Sequence, residues 1–187
     1  SNDKNFVIVY NGEIYNYKEL RNDLEKRTYS FYTNTDTEVI VNLYQEKGAE
    51  CLQDLNGMFS FAIYDINNDE LFIARDRFGI KPLYYTYNNG TFIFASELKA
   101  ILKYPNIDKT INLEALDLYL TFEHVPAPYT IYQNINKLEH GHYLFLKNST
   151  LTKKQWYQIT YQPKYNSFQI DEYLEELNLL VFEAVKR

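Results

Sequence analysis

YNGEIYN, residues 10–16, stands where an apolar run gives way to a helical pattern. Asn-Gly is a strong hairpin signal, because both residues tolerate positive φ. A hairpin needs a strand on each side, and here only the first is present. Phe6-Val7-Ile8-Val9-Tyr10 is a continuous apolar run of the kind that forms a strand buried on both faces. The residues that follow, NYKELRNDLEKR, predict a helix that Asn16 caps with Glu19 in a capping-box-like pair, burying Leu20 and Leu24. Asn11-Gly12-Glu13 is therefore expected at a strand-to-helix junction. Two readings stand side by side there. One is a structural turn, which Asn, Gly and Glu all suit. In the other, the glycine N–H and the asparagine carboxamide are neutral donors able to converge on one oxygen, as stabilisation of a tetrahedral oxyanion requires. Glu13 would then add an anion suited to an ammonium group.

Outward from this stretch, Thr35 and Glu38 repeat the capping pattern and open a helix through Val39, Ile40, Leu43 and Tyr44. Lys47-Gly48 supply a basic last turn and a glycine cap. From Gly57 the period shortens. MFSFAIYD, ELFIARD, LYYTY and TFIFAS are aromatic-rich runs separated by turn-formers such as Asn67-Asn68-Asp69 and Asn89-Gly90, which predicts an antiparallel meander. Helices are expected again over 96–103 and 112–122, then a loop with Pro126 and Pro128, then strands around HYLFL and QWYQI. This is an α+β order, not the alternation of a doubly wound sheet. Residues 167–187 place Ile170, Tyr173, Leu174, Leu177, Val181 and Ala184 on one helical face and stop without a cap, and Ser1-Asn2 reads as a remnant of tag cleavage. A piece of a longer protein is expected.

Composition narrows the function classes. The 187 residues suffice for one domain with a substantial core, and 45% apolar with 24% charged residues is ordinary for a soluble globular chain. A net charge of −6 without a basic stripe argues against a nucleic-acid partner. No run approaches the ~18 apolar residues of a membrane span, and no signal-peptide pattern is present. A single cysteine excludes an internal disulfide and fits a cytoplasmic setting. The 19 tyrosines and 12 phenylalanines are read as core and strand filler.

Five other places are candidates for chemistry or modification. Cys51 lacks a neighbouring histidine or cation in sequence and reads as a buried thiol. His140 and His142 share a strand face but show no third ligand, so no metal is assigned. RDRFGIKPLYY, residues 75–85, reads first as a solvated or salt-bridged turn. Asp36, at the mouth of the second helix, suits the dipole and a capping role. Asn148-Ser149-Thr150 fits a glycosylation acceptor, idle without a secretory signal.

Taken together, YNGEIYNYKELR, TDTEVIVNLYQEKG, LNGMFSFAIYD, ARDRFGIKPLYY and FASELKAIL resemble, in order and spacing, the glutaminase domain of glutamine-dependent asparagine synthetases. LEHGHYL resembles that family's Pro-Pro-Gly-His segment, with Glu139 and His140 in place of the prolines, and Trp156-Tyr157 its aromatic pair. The resemblance implies an Ntn-hydrolase-type αββα sandwich of antiparallel sheets, here incomplete. It implies a partial class II glutamine amidotransferase domain over 3–160, with 161–187 a linker and first helix toward a synthetase domain outside this chain. It implies glutamine as substrate, with Asn11 and Gly12 as the catalytic oxyanion donors and Glu13 and Asp36 also holding the substrate. The family's attacking residue is an N-terminal cysteine. Cys51 does not match it, and the chain alone is expected to be inactive. No cofactor is expected in this chain; ATP and Mg belong to the synthetase domain, where aspartate is activated. A homodimer is compatible with the resemblance. An amidotransferase with another acceptor, or a non-catalytic binding module on the same scaffold, are the alternatives.

Overall fold

The computed structural model describes residues 5–161 and 170–186. Among these described residues, eight strands form two antiparallel sheets. β1 (Phe6–Ile14), β2 (Gly57–Asp65), β3 (Glu70–Arg75), β7 (His142–Lys147) and β8 (Thr150–Gln155) build the first, in that order across it. The second has β4 (Tyr84–Asn88) between β5 (Thr91–Ala95) and the short β6 (Asn136–Lys137). The helices are α1 (Tyr17–Lys26), α2 (Asp36–Lys47), α3 (Cys51–Asp54), α4 (Leu98–Ile101), α5 (Leu113–Phe122) and α6 (Ile170–Lys186).

Strand periodicity distributes the core. On one face of the first sheet, Ile14, Phe59, Phe61, Ile63 and Phe72 meet Val39, Ile40 and Leu43 of α2 and Leu24 of α1. On the other, Ala62, Ile73 and Leu144 meet Leu83, Tyr85, Phe92 and Phe94 of the second sheet. Helix α4 packs on β4 and β5. Two antiparallel sheets with helical layers are thus the αββα sandwich implied by the resemblance.

Local expectations fare unevenly. β1 does not end at Tyr10 but runs on through Asn11-Gly12-Glu13, paired residue by residue with β2. Nor is it buried on both faces: among the described residues it is the edge strand, with Val7 and Val9 exposed by 53% and 55%. The meander divides, since β2 and β3 lie in one sheet and β4 and β5 in the other. The switch falls at Asp76–Leu83, whose turn bends the chain out of the first sheet.

Asn16 does precede α1, but its side chain makes no cap bond. It donates instead to the Asp54 carbonyl (2.9 Å) and accepts from the Asn56 N–H (3.0 Å), tying α1 to the entry of β2. Glu38 likewise reaches back to the N–H groups of Tyr32 and Thr33 rather than to Thr35. Gly48 closes α2 as the glycine cap that the sequence signalled, at φ 56° and ψ −137°, outside the left-handed helical region but still a backbone conformation that favours glycine. The helix expected over 96–103 is confined to α4, whereas Asn112 caps α5 by accepting the Ala115 N–H. The acceptor-like Asn148-Ser149-Thr150 takes in the two-residue β7–β8 turn, Asn148 and Ser149 both having positive φ, and the first residue of β8. QWYQI is not a strand beyond Gln155; β8 precedes it. Helix α6 takes up the expected amphipathic segment from Ile170, and residues 167–169 and 187 lie outside the described residues.

Candidate functional site at the open edge of the first sheet

The geometry of β1 follows from what holds the strand opposite. Gly12 lies across from Phe59. Both backbone groups of Phe59 are used on its far side: the C=O accepts the Asp76 N–H at 2.8 Å, and the N–H donates to Asp76 Oδ2 at 3.2 Å. In an antiparallel ladder, a residue bonded to one neighbour faces a non-hydrogen-bonded partner on the other. The N–H of Gly12 therefore points away from β2, out of the sheet's open edge. Ile14, two residues on, has the same polarity, and its N–H donates to Asp36 Oδ2 at 3.0 Å. Tyr15 points back, to the Asn56 carbonyl at 2.8 Å.

Non-hydrogen-bonded pairs are also the closest approach of two strands. At Gly12 there is no room for a side chain: a Cβ would sit 2.2 Å from the Met58 carbonyl oxygen and 2.7 Å from Phe59 Cα. Packing and a backbone φ of +158° both call for glycine here, and neither belongs to a turn.

Asn11 projects on the inter-sheet side, where its Nδ2 lies 3.3 Å from Ser96 Oγ, just past β5. It lines, with Val9, Ser60, Leu83, Phe94 and Ser96, a cavity of about 140 Å³. Glu13 is exposed. Asp36 opens α2 and turns Oδ2 onto β1, accepting from the Tyr10 hydroxyl at 2.8 Å as well as from Ile14. The Tyr10 phenol is held well above its usual range, first by burial, then by that hydrogen bond and by the charges of Asp36 and Glu13. Both carboxylates thus act on one hydroxyl of β1.

Sequence reading missed three residues that build this edge: Asn16, Ser96 and above all Asp76. The charge run around Asp76 is not the solvated or salt-bridged turn expected. Asp76 is 1% exposed. Besides Phe59, its carboxylate accepts the N–H groups of Phe78, Ile80 and Lys81 at 3.0–3.1 Å. Arg75 donates to the Lys81 and Gly79 carbonyls at 2.7 Å and to that of Leu138. Burial draws its guanidinium below the ordinary arginine range. Arg77 donates to the Leu55 and Gln53 carbonyls and lies 5.0 Å from the Trp156 ring centre. An acid directly after a strand, with Gly three residues later, was the available signal.

The other candidates do not gather here. Cys51 is fully buried, and burial pushes its thiol up to about 12. His142 bonds through Nδ1 to the His140 carbonyl at 2.8 Å. Among the described residues no group of three or more His, Cys, Asp or Glu is placed to hold a metal ion, and no helix is long and apolar enough to cross a membrane.

The family model described as a glutamine amidotransferase domain matches residues 1–157. The chain belongs to that family. Among sequence relatives, asparagine synthetase (glutamine-hydrolyzing) 1 of Bacillus subtilis is 38% identical over 184 residues, covering 98% of this chain and 29% of its own length. Asparagine synthetase (glutamine-hydrolyzing) 2 of the same organism is 44% identical over 157 residues, 81% of this chain and 21% of its own. The chain thus spans less than a third of either relative. Among solved structures, a glutamine phosphoribosylpyrophosphate amidotransferase of B. subtilis superposes with a TM-score of 0.57 at 22% identity, over 82% of this chain and 30% of that one. The fold of this amidotransferase domain is shared at that distance.

Proposed function

We propose that this chain is the glutamine-hydrolysing portion of an asparagine synthetase, releasing ammonia from the side-chain amide of glutamine. The observation that carries this is the outward N–H of Gly12 beside the Asn11 carboxamide, on the edge that Asp36 and Glu13 flank. Attack on the amide carbon converts its carbonyl oxygen to an oxyanion, and two neutral donors held by a sheet stabilise that charge without reorganising. Asp36, with Oδ2 tied to β1, and Glu13 supply negative charge for the substrate's α-ammonium.

The resemblance assigns the attack to an N-terminal cysteine. Cys51, sealed in the core, does not take that role. Ammonia then passes to a synthetase domain in the remainder of the protein, where ATP with Mg activates aspartate. A cytoplasmic setting fits this chemistry.

The test is to substitute Asn11→Ala in the full-length protein and compare its two nitrogen sources. Glutamine-dependent synthesis falls about 10²–10³-fold, the usual loss for one oxyanion donor, while synthesis from added ammonia persists. Equal loss of both makes Asn11 structural and refutes the reading.

A further inference from the structure

We propose that Asp76 is a positioning residue for the oxyanion donor at Gly12; the proposal rests on the function given above. Asp76 touches neither Gly12 nor the inter-sheet cavity. It acts through β2.

The β2–β3 ladder has its last strand pair at Ser60 and Arg75. At the next position, Phe59 opposite Asp76, a continuing ladder would use two backbone bonds. Only one is made: the Asp76 N–H reaches the Phe59 carbonyl. The Asp76 carbonyl has turned away, accepting the N–H groups of Gly141 at 2.9 Å and Gly79 at 3.3 Å. Its side-chain Oδ2 takes the vacated role and accepts the Phe59 N–H. One buried carboxylate therefore does two jobs. It replaces a ladder bond where the chain leaves the first sheet, and it gathers the turn amides of Phe78, Ile80 and Lys81 that carry the chain to the second.

The consequence reaches the site through one strand. With both its backbone groups engaged toward Asp76, Phe59 leaves the N–H of Gly12 facing outward. The same Met58–Phe59 backbone packs within 2.7 Å of where a Gly12 Cβ would be, so a shift of β2 here moves Gly12 directly. Phe59 is fully buried, and its N–H has no water to turn to when the carboxylate is lost.

Asp76→Asn tests this. The carboxamide keeps the shape but puts an NH₂ where one oxygen accepts two N–H groups. In the full-length protein, kcat for glutamine hydrolysis is expected to fall about tenfold, less than for a donor itself, with KM for glutamine within about twofold and ammonia-dependent synthesis unchanged. In the 187-residue chain, ¹⁵N-detected amide exchange is expected to show Phe59 exchanging at least about tenfold faster and the Gly12 cross-peak displaced, while Ile14, held by Asp36, is unmoved. Asp76→Glu serves if the Asn variant fails to fold. It keeps the charge, but one added methylene prevents it from holding Phe59 and the turn together, so the same changes are expected in the same direction. A folded variant with wild-type exchange at Phe59 and Gly12 overturns the proposal, as does a proportional fall in both activities. A wild-type protein unable to hydrolyse glutamine refutes the function and the proposal together. A glutaminase insensitive to both variants refutes the proposal alone.

Discussion

Gly12→Ala is the sharpest single perturbation of the site's framework. An alanine Cβ would stand 2.2 Å from the Met58 oxygen, 2.7 Å from Phe59 Cα and 2.9 Å from Tyr10 Cε2. The Tyr10 ring can swing aside, but the other two atoms belong to the backbone of β2 and move only if the strands part. Overpacking of this kind costs about 1–3 kcal/mol, and with two backbone clashes the upper end applies. At about 2–4 °C per kcal/mol for a domain of this size, the melting temperature should drop by about 6–12 °C. Gly48→Ala is the matched comparison, since its Cβ meets nothing within 4 Å and only its φ of +56° is at stake. Holding a residue with a side chain in such a sparsely populated backbone region costs about 1–3 kcal/mol. Thermal unfolding followed by circular dichroism should therefore show Gly12→Ala losing at least as much as Gly48→Ala. A Gly12→Ala protein melting within about 2 °C of wild type would mean that β1 does not lie against β2 in this register, and the outward N–H would lose its basis.

Cys51 provides two further tests. Its thiol, pushed from 9.0 up to about 12 in the folded chain, binds its proton more tightly folded than unfolded. The stability it lends is whole below pH 9 and declines by about 1.4 kcal/mol per pH unit between the two values. Cys51→Ala should therefore flatten the fall of the urea midpoint between pH 9 and 11, and an unchanged slope would contradict the burial. Because that thiol is inaccessible, a thiol-specific reagent at pH 8 should label it only after unfolding, and the 187-residue chain alone should release no glutamate from glutamine above a buffer control. Glutamate release abolished by Asn11→Ala would refute the second expectation.

Much of the fold was legible because its signals are local. The 3.6-residue pattern of α2 with its Gly48 cap, the span of α5 and the short aromatic strands are all matters of neighbouring residues. What misled were residues whose role is set from far away. Asn11-Gly12 carries turn chemistry, yet Gly12 is a glycine because Met58 and Phe59 approach it, and only the pairing with β2 reveals that. The exposed face of β1 escaped for the same reason: Val7 and Val9 read as core until the strand is placed at an edge. Arg75, Asp76 and Arg77 look like solvated charge, but each is matched to backbone groups of distant segments, such as Leu138, Phe59 and Leu55. Sequence motifs pointed to Asn11, Gly12, Glu13 and Asp36. The bond from Asp36 to Ile14, and the way Asp76 fixes the face of Phe59, required three dimensions.

The central claim is that the Gly12 N–H faces out of the sheet and is available to an oxyanion. Amide hydrogen exchange along β1 of the wild-type chain tests it most directly. The account predicts slow exchange at Glu13 and Tyr15, which face β2, and at Ile14, held by Asp36, with Gly12 just before them exchanging near the rate of an unprotected amide. Protection at Gly12 equal to that at Glu13 would place its N–H in the ladder and contradict the account.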